Sequence, residues 1–150
     1  MDARVEVRNI ARCKKRLKNM TLANLMPAMR EATVLVHGQA VEYANFDRGY
    51  QTGYLKSSIR FNVDNLGDSI IGKVFTPIIY APFVEFGTGQ RGMGSYPFSV
   101  EGLTLTYRED WAGMTAQPFM YPSLHNNKKA VERIINKGFD REIRRAIGGS

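Results

Sequence analysis

Residues 59–76 read IRFNVDNLGDSIIGKVFT, and the fold turns on how this stretch is read. Ile59, Phe61 and Val63 alternate with Arg60, Asn62 and Asp64, the period of two expected of a strand with one covered face. Asn65-Leu66-Gly67-Asp68 is turn chemistry, and Ile70 to Thr76 continues as a second strand. The stretch is therefore expected to be a β-hairpin. Leu103, Leu105 and Tyr107 alternate in the same way with Thr104, Thr106 and Arg108, which predicts a third strand. Between them, 87–102 is glycine-rich and reads as a long loop or a projecting hairpin.

Outward from the hairpin the period changes to that of a helix. Ile10, Cys13, Leu17 and Met20 recur at three- and four-residue steps among Arg12, Lys14, Lys15, Arg16 and Lys18, giving a basic helical arm over 1–20. Pro27 suits a first turn, and a second helix over 27–45 places Ala28, Ala32, Leu35 and Val36 on one side. Asn45-Phe46-Asp47-Arg48-Gly49 ends it in a turn. Downstream, Pro122 opens a final helix whose apolar row is Val131, Ile135, Phe139, Ile143 and Ile147. Gly138 within it costs about 1 kcal/mol relative to Ala, so it marks close packing. The order predicts an α+β fold: N-terminal helices, a small antiparallel or mixed β-sheet with a long insertion, and a C-terminal helix packed on the sheet. A single domain over 1–150 is expected.

Composition excludes several classes. With 43% apolar and 23% charged residues the chain is neither collagenous nor wholly disordered. Its one cysteine, Cys13, cannot form an internal disulfide, and no apolar signal core or membrane span is present. A protein that is not exported is expected, which leaves the sequon at Asn19 without meaning.

The net charge of +7 is unevenly placed: residues 1–30 carry +6, 31–124 carry −3 and 125–150 carry +4. Such basic ends suit a polyanion partner or, more simply, the solvated faces of two amphipathic helices.

Catalytic motifs are weak. Gly87-Thr88-Gly89-Gln90-Arg91-Gly92 spells GxGxxG, but Met93-Gly94-Ser95-Tyr96-Pro97 follows where a long helix must open, and Met93 stands where a phosphate loop needs Lys. His37 and His125 lie in no nucleophile elbow or Cys–His signature, and two distant histidines with Cys13 make a poor metal set. No enzyme, no cofactor and no metal site is expected.

Three segments carry more. Thr52-Gly53-Tyr54-Leu55-Lys56-Ser57-Ser58-Ile59 begins with a residue able to cap a short turn and sets Leu55 and Ile59 one turn apart. In Tyr80-Ala81-Pro82-Phe83-Val84-Glu85-Phe86-Gly87-Thr88, Pro82 and Gly87 frame a single helical turn, with a buried strand as the alternative. Ala116-Gln117-Pro118-Phe119-Met120-Tyr121-Pro122-Ser123-Leu124 is an extended lead-in to the last helix.

This ordered set resembles the tail-component family of long-tailed bacteriophages, the gene-product-ten-like head–tail and tail-completion proteins. The likeness runs over about residues 20–147, although Tyr50-Gln51 replaces the usual Ala-Pro before the first motif. The resemblance implies a structural virion protein, made in the host cytoplasm and assembled at the head–tail junction. There it would form a ring, sixfold in the virion, between head-completion or connector proteins and the tail-terminator or tail-tube proteins. Double-stranded DNA would pass without tight binding, and no membrane is involved. A tail-terminator ring is the nearest alternative, and a basic nucleic-acid-binding module the alternative from another class.

Within the motifs Thr52, Gly53, Leu55, Ser58, Ile59, Tyr80, Phe86, Gly87, Thr88, Pro118, Phe119 and Pro122 are expected to build the monomer. Glu85 differs, a carboxylate among Phe83, Val84 and Phe86; it is expected to accept backbone N–H bonds or to pair with Arg across a ring interface. Residues 89–115 hold Met93, Tyr96, Phe98 and Trp111 beside Gly89, Gly92 and Gly94. They are expected to form an assembly loop, mobile in the free protein, that orders against the next ring or the tail tube, the alternative being a hairpin folded onto its own sheet through Leu103 and Leu105.

Overall fold

Alanine spacing builds the centre of the molecule, a computed structural model that describes residues 22–45 and 53–148. A 3-10 turn, Leu22–Leu25, runs into α1, Met26–Tyr43, with Pro27 in its first turn as its lack of an N–H allows. Ala28, Ala32, Val36, Ala40 and Ala44 recur every fourth residue and are all buried, so α1 lets its neighbours approach closely. The basic arm 1–20, the sequon and residues 46–52 with Thr52 lie outside the described residues.

A short helix α2, Tyr54–Ser58, starts from Gly53 at φ 65° and delivers the chain into the hairpin of β1, Arg60–Asn65, and β2, Ile70–Phe75. The strands are antiparallel with Phe61 opposite Val74 and Val63 opposite Gly72. The turn closes through Leu66 N–H to Ser69 O at 2.9 Å and Gly67 N–H to Asn65 Oδ1 at 2.9 Å. Phe61, Val63, Gly72 and Val74 share the face toward α1, because opposed residues of an antiparallel pair point the same way. Gly72 is needed there, since a Cβ would overlap the Thr33 hydroxyl.

The remaining elements are α3, Ala81–Phe86, a four-residue turn α4, Gly89–Gly92, then α5, Met120–His125, and α6, Lys128–Gly148. The fold is α+β with a two-stranded antiparallel sheet. Three expectations are corrected. Residues 103–107 form no strand; Leu105 and Tyr107 are half-buried between exposed threonines, so the alternation reflects an extended chain covered on one side, without a ladder partner. The final helix is two: Asn126 and Asn127 break it, and Asn127 O accepts Val131 N–H at 2.9 Å to begin α6, a cap position that asparagine favours. Finally, α6 finds its main support on α1 rather than on the sheet: Ala28 meets it at Gly138, while Met29 and Thr33 meet the hairpin at Gly72. Gly138 thus marks close packing as expected, and the covered face runs through Ile134, Gly138 and Glu142, leaving Phe139 39% exposed.

Candidate functional site

The three sequence segments converge on one node. From the first, Leu55 and Ile59 are buried in the cluster that holds Ala40, Ala44, Ala81 and Phe119. Ser58 Oγ donates to Leu55 O at 2.6 Å and lies 2.7 Å from the Thr76 hydroxyl, which ties α2 to the end of the hairpin. From the second, α3 forms the single helical turn expected of Pro82 and Gly87, with Tyr80 exposed at its start. From the third, Gln117 N–H donates to Val84 O at 2.8 Å, and Phe119, 1% exposed, fills the core. Half-buried Pro118 precedes it, and buried Pro122 lies within α5.

Glu85 joins the second segment to the third. Its side chain, with the residue only 5% exposed, accepts Phe119 N–H at 2.8 Å and Met120 N–H at 2.9 Å on Oε2, and Tyr121 N–H at 3.0 Å on Oε1. Tyr96 Oη donates to Oε1 at 3.5 Å. These backbone donors are the unsatisfied first N–H groups of α5, whose own N-cap residue supplies no side-chain acceptor. A carboxylate at a helix N-terminus is also favoured by the helix dipole. Of the two roles expected for Glu85, the acceptor of backbone N–H bonds is the one on display, with both oxygens engaged.

Around this carboxylate lie five rings. Tyr96 stands edge-on to Phe86 at 5.0 Å and to Phe98 at 5.6 Å, Phe98 lies 4.9 Å from Tyr121, and Tyr121 stacks on exposed His125 at 5.2 Å. Burial, and next the charge of Glu85, raise the Tyr96 phenol above its ordinary value.

The segment 89–115 is closed at its base. Thr88 and Met114 exchange backbone bonds at 2.8 and 2.9 Å, and Gln90 and Arg91 N–H donate to Trp111 and Ala112 carbonyls at 2.9 Å each. The glycines of the GxGxxG string serve this closure: a Cβ on Gly87 would lie 2.6 Å from Ala116 N. The alternative of a hairpin folded onto the sheet is not what forms. Tyr96 and Phe98 are drawn into the aromatic cluster beside α3 and α5, not onto the hairpin, and Leu103 is exposed. Met93 and Trp111, 52% and 54% exposed, remain at the surface.

Sequence reasoning missed Tyr107, whose hydroxyl donates to Phe86 O at 3.0 Å, Ser95, whose hydroxyl accepts Ala116 N–H at 2.8 Å, and Gly113 at the loop base. No local signal marked them, because each acts on a segment about twenty residues away. His37 Nε2–H donates to Ile59 O at 3.2 Å, and the ring lies beside Phe61. Among the described residues no group of three His, Cys, Asp or Glu is placed to hold a metal, and no helix is long and apolar enough to cross a membrane.

No protein-family model, no curated protein and no solved structure matches the chain.

Proposed function

We propose that this protein is a non-enzymatic ring component of the head–tail junction of a long-tailed phage, completing the neck through which double-stranded DNA passes. The observation that carries the reading is the Glu85 node. The three segments that suggest the family are far apart in sequence, and their side chains meet at one architectural joint between α3, α5 and the core. A chain whose Leu55, Ile59, Glu85 and Phe119 hold its own frame suits a part that is built to be assembled. Ile79, 89% exposed, with Phe83, Met93 and Trp111, offers apolar surface that neighbouring subunits would cover.

The test is removal of the gene from the phage genome that carries it. The expected result is DNA-filled heads and tails of normal length that fail to join, rescued by supplying the protein. Overlong tails would instead assign it to the tail terminator, and fully infectious particles would refute a junction role. Submicromolar binding of duplex DNA at physiological salt would favour the nucleic-acid-binding module.

A further inference from the structure

We infer that the flank of α6 carrying Arg133, Lys137, Arg141 and Arg144 is the face that meets the DNA backbone. This inference rests on the junction reading and names the surface within it. Steps of four, four and three residues place these cations in one stripe along the helix. At 100° per residue the stripe lies about a quarter turn from Gly138, which faces α1. All four residues are exposed. The ion pairs among the described residues are Lys73–Asp64, Arg108–Asp110 and Arg145–Glu142, so none of the four is neutralised by a partner carboxylate. Lys137, Arg141 and Arg144 border an open depression of about 730 Å³, at whose edge Asp140 is the single acidic side chain.

An acidic face of a second copy is the competing occupant, and the charges of this chain do not supply one. Among the described residues Asp64 and Asp110 are already paired, Glu85 and Glu142 are buried, and the other exposed carboxylates are spread over α1 (Glu31, Glu42), the hairpin turn (Asp68), the 89–115 segment (Glu101, Glu109) and α6 itself (Glu132, Asp140). A polynucleotide does supply a matching array. The stripe is about 16 Å long, and one strand of duplex presents a phosphate about every 3.4 Å along its axis. Residues 31–124 carry −3 against +4 for 125–150, so of these two segments the one that holds α6 is the one a polyanion attracts. Four phosphate contacts with no base-reading group give weak, sequence-independent, salt-sensitive binding, which allows DNA to slide.

The experiment uses the full chain and a 30-base-pair duplex, with affinity measured against salt concentration. Replacing all four residues (R133Q, K137Q, R141Q, R144Q) is expected to flatten the slope of log K against log salt by about 3.6, and R141Q with R144Q by about half that. The control K128Q with K129Q, on α6 but off the stripe, is expected to change it by less than 1. Equal slopes in the fourfold variant and the wild type would overturn the inference, as would a wild-type chain that ignores DNA at low salt. Intact DNA binding with lost self-association would overturn it too and make the stripe a subunit contact. These outcomes are separate from the junction reading: heads and tails that join normally without the gene refute that reading, whatever the salt slope.

Discussion

The carboxylate of Glu85 holds the backbone N–H of Phe119 at 2.8 Å across 34 residues of sequence, and Phe119 is the most deeply buried large side chain among the described residues. One acceptor therefore fixes both the start of α5 and the ring that completes the core. Glu85→Leu leaves one buried and two part-buried backbone donors without an acceptor, the buried one costing about 1–3 kcal/mol and the others up to that. The variant is expected to lose most of its stability in urea titration. Glu85→Gln keeps one oxygen and turns an NH2 toward the other donors, so a smaller loss of about 1–3 kcal/mol is expected. A Leu variant with a wild-type midpoint would show that the donors find water instead.

Tyr96 sits beside the same carboxylate, and its raised pKa makes stability depend on alkali. The folded state keeps the phenol proton above the pH where the unfolded chain releases it, near 10. The stabilisation is therefore complete below about pH 10 and is lost as the pH rises beyond it. Tyr96→Phe lacks this linkage. The stability gap between wild type and variant should shrink from pH 8 to pH 11, and a constant gap would assign the loss to other groups.

How much of this was legible follows from distance along the chain. The hairpin 59–76 and α1 were readable because strand alternation, Asn-Leu-Gly-Asp turn chemistry and a four-residue alanine repeat are local. Glu85 stood out as a carboxylate among apolar neighbours, yet its donors at Phe119, Met120 and Tyr121 could not be found without the fold. The alternation at 103–107 misled because an extended segment covered on one side has the period of a strand. The break at Asn126 and Asn127 was a missed local signal, since paired asparagines favour a cap over a continuous helix.

Gly138 tests the contact between α1 and α6. Alanine has the better helix propensity by about 1 kcal/mol, so an exposed site would gain from the change. Here the added methyl would overlap the Ala28 methyl, and overpacking costs about 1–3 kcal/mol. Gly138→Ala is expected to lower Tm, with recovery when Ala28→Gly is added. A rise in Tm for the single variant would mean that the helices separate without cost.

Gly113 closes the base of 89–115. It has φ 61°, and a Cβ would run into the Thr88 carbonyl. Gly94, at φ 70°, faces open space. Gly94→Ala should therefore cost only the left-handed strain of about 1–2 kcal/mol, whereas Gly113→Ala adds a backbone collision and should open the loop. Hydrogen exchange reads the difference: the Gln90, Arg91 and Met114 amides are expected to be protected in wild type and Gly94→Ala, and to exchange rapidly in Gly113→Ala. Equal protection in all three would mean that the closure does not depend on Gly113.

Trp111 is the single tryptophan of the chain and reports on the proposed assembly surface. Its carbonyl is held by Gln90 N–H at 2.9 Å, which fixes the backbone, while the residue is 54% exposed. An anchored, solvent-facing indole is a costly surface for a subunit to keep unless a neighbour covers it, and tryptophan is enriched among the residues that dominate interfaces. In the free protein its emission is expected to be red-shifted and quenched by iodide; on joining to the neighbouring ring it should shift to the blue and escape the quencher. Trp111→Ala should change stability by no more than about 0.5 kcal/mol, because little in the monomer is removed. The same change should weaken assembly by at least about 2 kcal/mol, roughly thirtyfold. Wild-type yields of joined particles from Trp111→Ala would take the indole out of the interface and leave 89–115 a closed loop of the monomer alone.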